Sequence, residues 1–175
     1  MDITAFWDLI DKTREASSGD PEKQSDLLVE ELARLTVDDV LTFDSIFRDL
    51  MDTAYVADLW DAAYVIDCGC SDDGFSSYRE WLIGRGKEAY DKALADPESL
   101  ADIVEVGSEN VYPTLLGVTF KAYEQLTGNE MPPMPRQQPE LKGEHREEQG
   151  ILARFPKLTA KYWIWWLKKF GVDQN

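Results

Sequence analysis

The chain has 175 residues, 43% of them hydrophobic, which predicts one globular domain over residues 1–175 with a core of its own. Its formal net charge is −16, so its surface is expected to repel nucleic acid and anionic membranes. No stretch approaches the roughly eighteen consecutive apolar residues of a membrane-spanning helix. Because Cys68 and Cys70, the only cysteines, are too close together for a useful disulfide, a reducing, cytoplasmic location is expected.

This charge is unevenly distributed along the chain. Residues 151–175 carry five basic residues and one acid, a net charge of +4, which leaves −20 on residues 1–150. A body this acidic favours a basic protein partner through electrostatic steering, although acidic surfaces also serve solubility alone. The basic C-terminal segment could fold over the body or dock on a second copy of the chain, which would make a homo-oligomer.

Signals for helix starts follow one another from the N-terminus. Asp20 and Pro21 have the residue types of an N-cap and a first helical position. Thr36 followed by Asp39 is a variant of the capping box and is expected to begin another helix. The apolar pattern after Thr36 continues for about thirty residues, which is long for one helix, so a break is expected near residues 51–54.

The second half of the chain continues the helical pattern. Asp96 with Pro97 and, further on, Pro113 are expected to begin helices, and Gly128 is expected to end one. Residues 129–150 hold four prolines and few large apolar groups, which predicts a long surface loop. Since no alternating pattern typical of strands is evident, the expected fold class is all-α, a single-domain helical bundle of about seven or eight helices with one proline-rich loop.

The C-terminal segment, residues 151–175, is predicted to form a basic, tryptophan-rich helix that begins at Pro156 and ends at Gly171. Apolar side chains surround it on almost every side, in the sequence "KYWIWWLKKF". A helix of this kind is normally buried in a core. Two alternatives are an interface helix, because tryptophan is common at binding hot spots, and attachment to a membrane surface, which the acidic body disfavours.

The stretch "CGCSDDGFSSYREWL", residues 68–82, gathers the residue types that carry chemistry. With Gly74 as the turn glycine of a calcium loop, Ser71, Asp73 and Glu80 fall on ligand positions. The first ligand position would then be Gly69, which has no side chain to bind calcium. A calcium site is therefore disfavoured.

Zinc is the second metal that the stretch suggests. Cys68 and Cys70 could bind it, with Asp67 or Asp72 as a further ligand. Structural zinc sites, however, space their cysteines more widely and need more ligands, and the only histidine, His145, lies in the proline-rich loop. No metal or other cofactor is predicted.

Catalysis is a third possibility for the same residues. Asp72 and Asp73 could do acid–base work if burial raised the pKa of one of them, and Cys68 or Cys70 could be a thiolate nucleophile at a helix N-terminus. No histidine base is evident beside them, and the sequence has none of the common catalytic motifs. A small hydrolase or transferase that uses the Asp72/Asp73 stretch is the alternative function.

The stretch is also typical of the start of a helix. Ser71, Asp72 or Asp73 can accept hydrogen bonds from free backbone N–H groups, and negative charge suits the positive end of a helix. The three aromatic residues from Phe75 to Trp81 recur at helical intervals, which predicts a buried stripe. The central stretch is therefore predicted to be a helix-initiating corner under an aromatic cluster.

The sequence "LWDAAYVIDCGCSDDGFSSYREWLIGRGKEAYDKALADPESLAD" resembles the bacterial family known as domain of unknown function 4240. The N-terminal "FWDLIDKTR" and the late "ARFPKL" resemble its outer landmarks, so the resemblance is expected to cover most of residues 1–160. It implies a helical bacterial domain without an established activity. The positions that the resemblance highlights are Asp72, Asp73, Phe75, Arg79 and Trp81, and these are the predicted binding residues.

Together these features predict a non-enzymatic, acidic protein-interaction module. Its partner is expected to be a basic protein, as for a regulator or an immunity-like inhibitor. Self-association through the C-terminal helix is a further expectation, and neither nucleic acid nor a membrane is expected as a partner.

Overall fold

The computed structural model describes residues 1–103 and 115–170, with Phe170 as backbone only. The described residues are largely helical. The α-helices are α1 Ile3–Ser17, α2 Pro21–Leu32, α3 Val37–Thr53, α4 Ala57–Asp67, α5 Asp72–Gly84, α6 Lys87–Ala95, α7 Val118–Thr127, α8 Glu148–Arg154, α9 Pro156–Leu158 and α10 Ile164–Phe170. Two 3₁₀ helices, Pro97–Asp102 and Leu115–Gly117, and a π-helical turn, Thr159–Trp163, complete the helical segments. The predicted all-α fold class is confirmed, and the described ranges contain one isolated β-bridge, Val56–Lys142, and no strand.

The helix starts that the sequence marks most clearly are confirmed. The side chain of Asp20 accepts a hydrogen bond from the backbone N–H of Lys23, with Pro21 in the first helical position. Thr36 and Asp39 form the complete capping box, in which each side chain bonds the other residue's backbone N–H. The expected break falls at Ala54, which ends α3 three residues before α4 begins.

Other boundaries differ from the prediction. The segment after Asp96 is a 3₁₀ helix rather than an α-helix, although Asp96 does cap it by accepting from the backbone N–H of Glu98. The irregular loop ends at residue 147, because residues 148–150 form the first turn of α8. Pro113 lies outside the described residues. Gly128 ends α7 in the left-handed conformation, as predicted.

One continuous core joins the helices. Phe6 of α1 contacts Phe43 of α3 with a ring-centroid distance of 4.5 Å, and both side chains are essentially inaccessible to water. Trp60 of α4 stacks on Phe75 of α5 at 4.7 Å, and Tyr78 lies on the same side of α5. Since a buried aromatic side chain removes roughly 150–250 Å² of surface from water, these contacts are expected to supply much of the stability.

The proline-rich loop is tied to the helical body at several points. The backbone N–H of Ala57 donates to the carbonyl of Lys142 at 2.9 Å, and the N–H of Lys142 donates to the carbonyl of Tyr55 at 3.1 Å. Further back along the loop, Arg136 forms ion pairs with Asp49 and, at 2.8 Å, with Asp52. The loop therefore lies against the helical body between α3 and α4.

The C-terminal helix is buried on one side only. Leu158 is inaccessible to water and Tyr162 is 3% exposed, whereas Ile164 of α10 is 41% exposed. Trp166 is half-buried and donates its indole N–H to the carbonyl of Ile66 at 2.8 Å. The prediction that this helix is buried all round is thus wrong for the described residues: α9 and the π-helical turn enter the core, while α10 lies on its surface. None of the described helices combines the length and apolar character that crossing a membrane requires.

Truncation of two aliphatic side chains on this helix tests that division. Leu158→Ala should lower the free energy of unfolding by about 2–5 kcal/mol because it leaves a cavity in the core. Ile164→Ala removes a similar volume from a half-exposed position and should cost less than about 1 kcal/mol. Urea unfolding followed by circular dichroism measures both, and equal costs would contradict the burial described here.

A candidate binding cleft beside Arg79

The central stretch forms the corner between α4 and α5. Cys68 ends α4 in the left-handed conformation, and Ser71 is the N-cap of α5, with its hydroxyl accepting from the backbone N–H of Gly74 at 3.1 Å. Asp72 and Asp73 occupy the first turn of α5, where their charge is favoured by the helix dipole. The predicted helix-initiating corner is confirmed, with Ser71 as the capping residue. Because the supposed calcium loop is mostly helix, its ligand positions do not surround a common point.

Helical geometry separates the five predicted binding residues. Asp72 and Arg79 line the same cleft, while Asp73 is exposed outside its lining. Phe75 is fully buried beneath the cleft in the aromatic cluster. Trp81 lies beside Tyr78, at a ring-centroid distance of 5.3 Å. The structure therefore brings two of the five residues together in one cleft and places Phe75 where it supports Arg79.

This cleft has a volume of about 600 Å³. Its walls are α3, α5, the 3₁₀ helix Leu115–Gly117 and the proline-rich loop. The residues that line it are Arg48, Met51, Asp52, Tyr55, Asp72, Ser76, Arg79, Leu116, Arg136, Gln138 and Pro139. Three guanidinium groups and two carboxylates thus meet in one cavity of a strongly acidic chain.

Arg79 is held in place from several sides. Its Nη1 donates to the carbonyl of Met51 at 2.8 Å, and its Nε donates to the carbonyl of Phe75 at 3.3 Å. Its guanidinium carbon lies 4.8 Å from the ring centre of Tyr55 and 5.0 Å from that of Phe75, within the range of cation–π attraction. Burial lowers the pKa of the Arg79 guanidinium, which nevertheless stays charged near neutral pH. No carboxylate of the described residues forms an ion pair with it.

The two other arginines of the cleft are neutralised by carboxylates. The Nε of Arg48 bonds the buried carboxylate of Asp44 at 2.5 Å, and Asp44 also accepts from the hydroxyl of Thr119 at 2.8 Å. Arg136 bonds Asp49 and Asp52. Arg79 therefore differs from both neighbours in having no carboxylate partner.

Glu80 positions one wall of the cleft. Its carboxylate is buried, 5% exposed, and accepts from the backbone N–H of Leu116 at 3.0 Å. This bond holds the 3₁₀ helix Leu115–Gly117 against α5. Burial raises the pKa of the Glu80 carboxyl, and the bonds from backbone N–H groups offset part of that shift.

The two thiols are poor nucleophiles. Burial raises the pKa of Cys70 to about 12, and burial also raises the pKa of the exposed Cys68 thiol. Both cysteines are free and remain protonated near neutral pH, which removes the thiolate that the catalytic interpretation requires. Among the described residues, no group of three or more histidine, cysteine, aspartate or glutamate side chains is placed to hold a metal ion.

The fold gives His145 a partner that the sequence does not indicate. Its Nδ1 lies 2.8 Å from Oδ1 of Asp61, a carboxylate that is 1% exposed. The other oxygen of Asp61 accepts from Nη1 of Arg146 at 3.1 Å. His145 also packs edge-on against Trp60. Through these bonds to Asp61, His145 and Arg146 anchor the end of the loop on α4.

Sequence reasoning missed most of the cleft. Arg48 lies on another helix and Arg136 in the loop, and nothing local connects either residue with Arg79. The sequence of α5 does contain one signal that indicates part of the cleft. Asp72, Ser76 and Arg79 are spaced four and three residues apart, so they share a face of the helix, and all three line the cleft.

The fold and this cleft define a small all-α domain with a cavity of mixed charge. The chain belongs to the family described as protein of unknown function (DUF4240), whose model matches residues 1–125. The predicted resemblance is confirmed, but the match ends before the proline-rich loop, so "ARFPKL" and the Arg136 wall lie beyond it. A search of curated proteins and a search of solved structures found no match.

The raised pKa of Glu80 predicts a pH dependence of stability. A carboxyl whose pKa is higher in the folded than in the unfolded state costs stability as the pH rises through its titration range. Glu80→Gln keeps an oxygen for the Leu116 N–H and removes the charge. The free energy of unfolding of this variant, relative to the wild type, should therefore increase between about pH 4 and pH 7, as measured by urea unfolding.

Glu88→Gln is the matched control for this measurement. The hydrogen bond from Lys92 lowers the pKa of the Glu88 carboxyl, so the stability that wild type gains from it grows as the pH rises toward the unfolded value of 4.5 and is complete above that value. The relative stability of Glu88→Gln should therefore fall as the pH approaches 4.5 and should not increase between there and pH 7. The same trend in both variants would contradict the burial of Glu80.

Proposed function

We propose that this protein is a non-catalytic interaction module that binds a basic protein partner at the start of α5. One observation carries this proposal. Asp72 and Asp73 are adjacent and exposed, and neither has an ion pair or hydrogen bond among the described residues. Two neighbouring carboxylates without partners, on a chain of net charge −16, are suited to separate lysine or arginine side chains of another protein.

The charge of the chain as a whole favours a basic partner, although Arg79, in the same cleft as Asp72, is an unpaired cation among the described residues. Arg48 and Arg136 are already neutralised by carboxylates of α3, so they oppose an approaching cation only weakly. The acidic body as a whole attracts a basic partner over a distance of several ångströms, up to about the Debye length of roughly 8 Å at physiological salt. This supports a role such as a regulator or an immunity-like inhibitor.

A hydrolase or transferase at the same stretch has less support. Asp72 faces the cleft and Asp73 does not, so the two carboxylates do not converge on one substrate position. Both thiols are protonated near neutral pH. The free cysteines are consistent with the predicted reducing, cytoplasmic location. Self-association through the C-terminal helix stays a prediction, and the exposed side chain of Ile164 on α10 is accessible to a second copy.

A charge-matched pair of variants tests the basic partner. The full chain captures proteins from a lysate of its source organism at low and at high salt, and the purified candidate is then titrated against each variant. We expect a basic protein that binds at low salt and is released at high salt. Asp72→Asn/Asp73→Asn should weaken its binding about fivefold to thirtyfold, as expected for two exposed ion pairs of about 0.5–1 kcal/mol each.

The control for net charge is Glu22→Gln/Asp26→Asn on α2. Both residues are exposed and have no ion pair among the described residues, so they match Asp72 and Asp73 in environment. The variant removes two carboxylates and therefore changes the total charge by the same amount. It should bind nearly as well as the wild type. Equal losses in the two double variants would show that total charge alone drives binding, and a partner whose binding ignores salt would overturn the proposal.

A further inference from the structure

We infer that the cleft binds an oxyanion, a carboxylate or phosphate group of a small molecule, on the guanidinium of Arg79. This site adjoins the proposed contact with a basic protein, because Asp72 lines the cleft while Asp73 lies outside its lining. Neither proposal requires the other, and each is tested with its own ligand.

The hydrogen-bonding capacity of Arg79 is only partly used. A guanidinium group has five N–H donors, and Arg79 uses one on Met51 and one on Phe75. The described contacts leave the other donors available on a group that lines the cleft. A planar guanidinium matches the two oxygens of a carboxylate or phosphate.

Arg79 is also oriented before any ligand arrives. The two carbonyl bonds and the rings of Tyr55 and Phe75 fix the plane of the guanidinium. A side chain held in this way loses little conformational freedom on binding, which improves affinity. The same residues keep the charge half-buried without a carboxylate, and an oxyanion would offset the cost of that burial.

The unpaired cation of the cleft stands out on a chain of net charge −16. Three arginines line the cleft, and Arg79 is the one among them that has no carboxylate partner in the described ranges. Tyr55, Ser76 and Gln138 add uncharged hydrogen-bonding groups. A volume of about 600 Å³ lies in the range of roughly 300–1,000 Å³ that is usual for small-molecule sites.

A second cavity of about 420 Å³ provides an internal comparison. Its lining includes Arg14, Arg85 and Lys92, but also four carboxylates, those of Asp11, Glu15, Glu88 and Asp102, for a net charge of −1. Arg85, at the end of α5, is half-buried and, like Arg79, has no ion pair among the described residues. Arg85→Gln is therefore a control that matches Arg79→Gln in charge, burial and helix.

The test uses inorganic phosphate and citrate as separate probes. Each is titrated into the full chain at constant ionic strength, with chloride as the replaced anion, and binding is followed by calorimetry and by amide chemical shifts. We expect saturable binding of at least one probe, with shifts around Tyr55 and Ser76. Arg79→Gln should weaken it at least about tenfold, the loss expected for a charge-assisted hydrogen bond, and Arg85→Gln should leave it unchanged.

The probes also distinguish the source of the oxyanion. Saturation by phosphate alone assigns a phosphorylated ligand, and saturation by citrate alone assigns a carboxylate. Saturation by neither probe would overturn the inference, as would binding that Arg85→Gln abolishes and Arg79→Gln spares.

Two variants keep the test valid if Arg79→Gln does not fold. Arg79→Lys retains the charge but loses the planar fork, and should bind more weakly than wild type. Arg136→Gln changes an exposed loop residue on the cleft wall and should reduce the affinity by a smaller factor than the Arg79 variants. Wild-type affinity in both variants, with thermal unfolding unchanged, would also overturn the inference.

Discussion

The arrangement of α3, α5 and α6 depends on how the C-terminal end of α3 is satisfied. The last carbonyl groups of a helix have no partner within it, and they carry partial negative charge. Here the guanidinium of Arg79 bonds the carbonyl of Met51, and the hydroxyl of Tyr90 adds a bond at 2.6 Å to the carbonyl of Leu50, which also accepts from the backbone N–H of Ala54. Side chains of α5 and α6 thus donate hydrogen bonds to carbonyl groups in the last turn of α3. A cation at this position is favoured by the helix dipole, which explains how Arg79 can be half-buried without a carboxylate.

The same contact links stability with binding. Arg79 lies over Phe75, and Phe75 stacks on Trp60, so the floor of the cleft is continuous with the hydrophobic core. Trp60 in turn donates its indole N–H to the carbonyl of Cys70 at 2.9 Å, which fixes the corner before α5. A ligand that binds Arg79 would therefore contact a group whose orientation is set by the core.

The sequence predicts those parts of the fold that local chemistry determines. The caps at Asp20 and Thr36 need only a side chain and a backbone N–H about three residues away, and both were predictable. The pairing of His145 with Asp61 joins residues 84 positions apart, and no sequence pattern indicates it. The same holds for the cleft, whose arginines come from α3, α5 and the loop. The sequence highlighted Asp72 and Arg79, but only the packing of the helices shows that they share a cavity while Asp73 lies outside its lining.

The C-terminal helix shows a different limit of sequence reasoning. Its composition predicts complete burial, yet Ile164 remains 41% exposed because the described helices cover only one side of it. Composition measures how apolar a helix is, and neighbouring elements decide how much of it is covered. The proline-rich loop differs from its prediction in the opposite direction, because it is held more closely to the helical body than its composition indicates. Its polar composition predicts a surface loop, and its ion pairs make it one wall of the cleft.

The most direct test of the role of Arg79 is the ¹⁵N NMR spectrum of the arginine side chains without any ligand. A guanidinium held by two carbonyls and two rings should give an Nε–H resonance that exchanges slowly with water, and the resonance should be absent from Arg79→Lys. Such a resonance is the result that the structure predicts. If the Arg79 Nε–H instead exchanged as fast as that of the exposed Arg34, the guanidinium would be free in solution, and the arrangement described here would be contradicted.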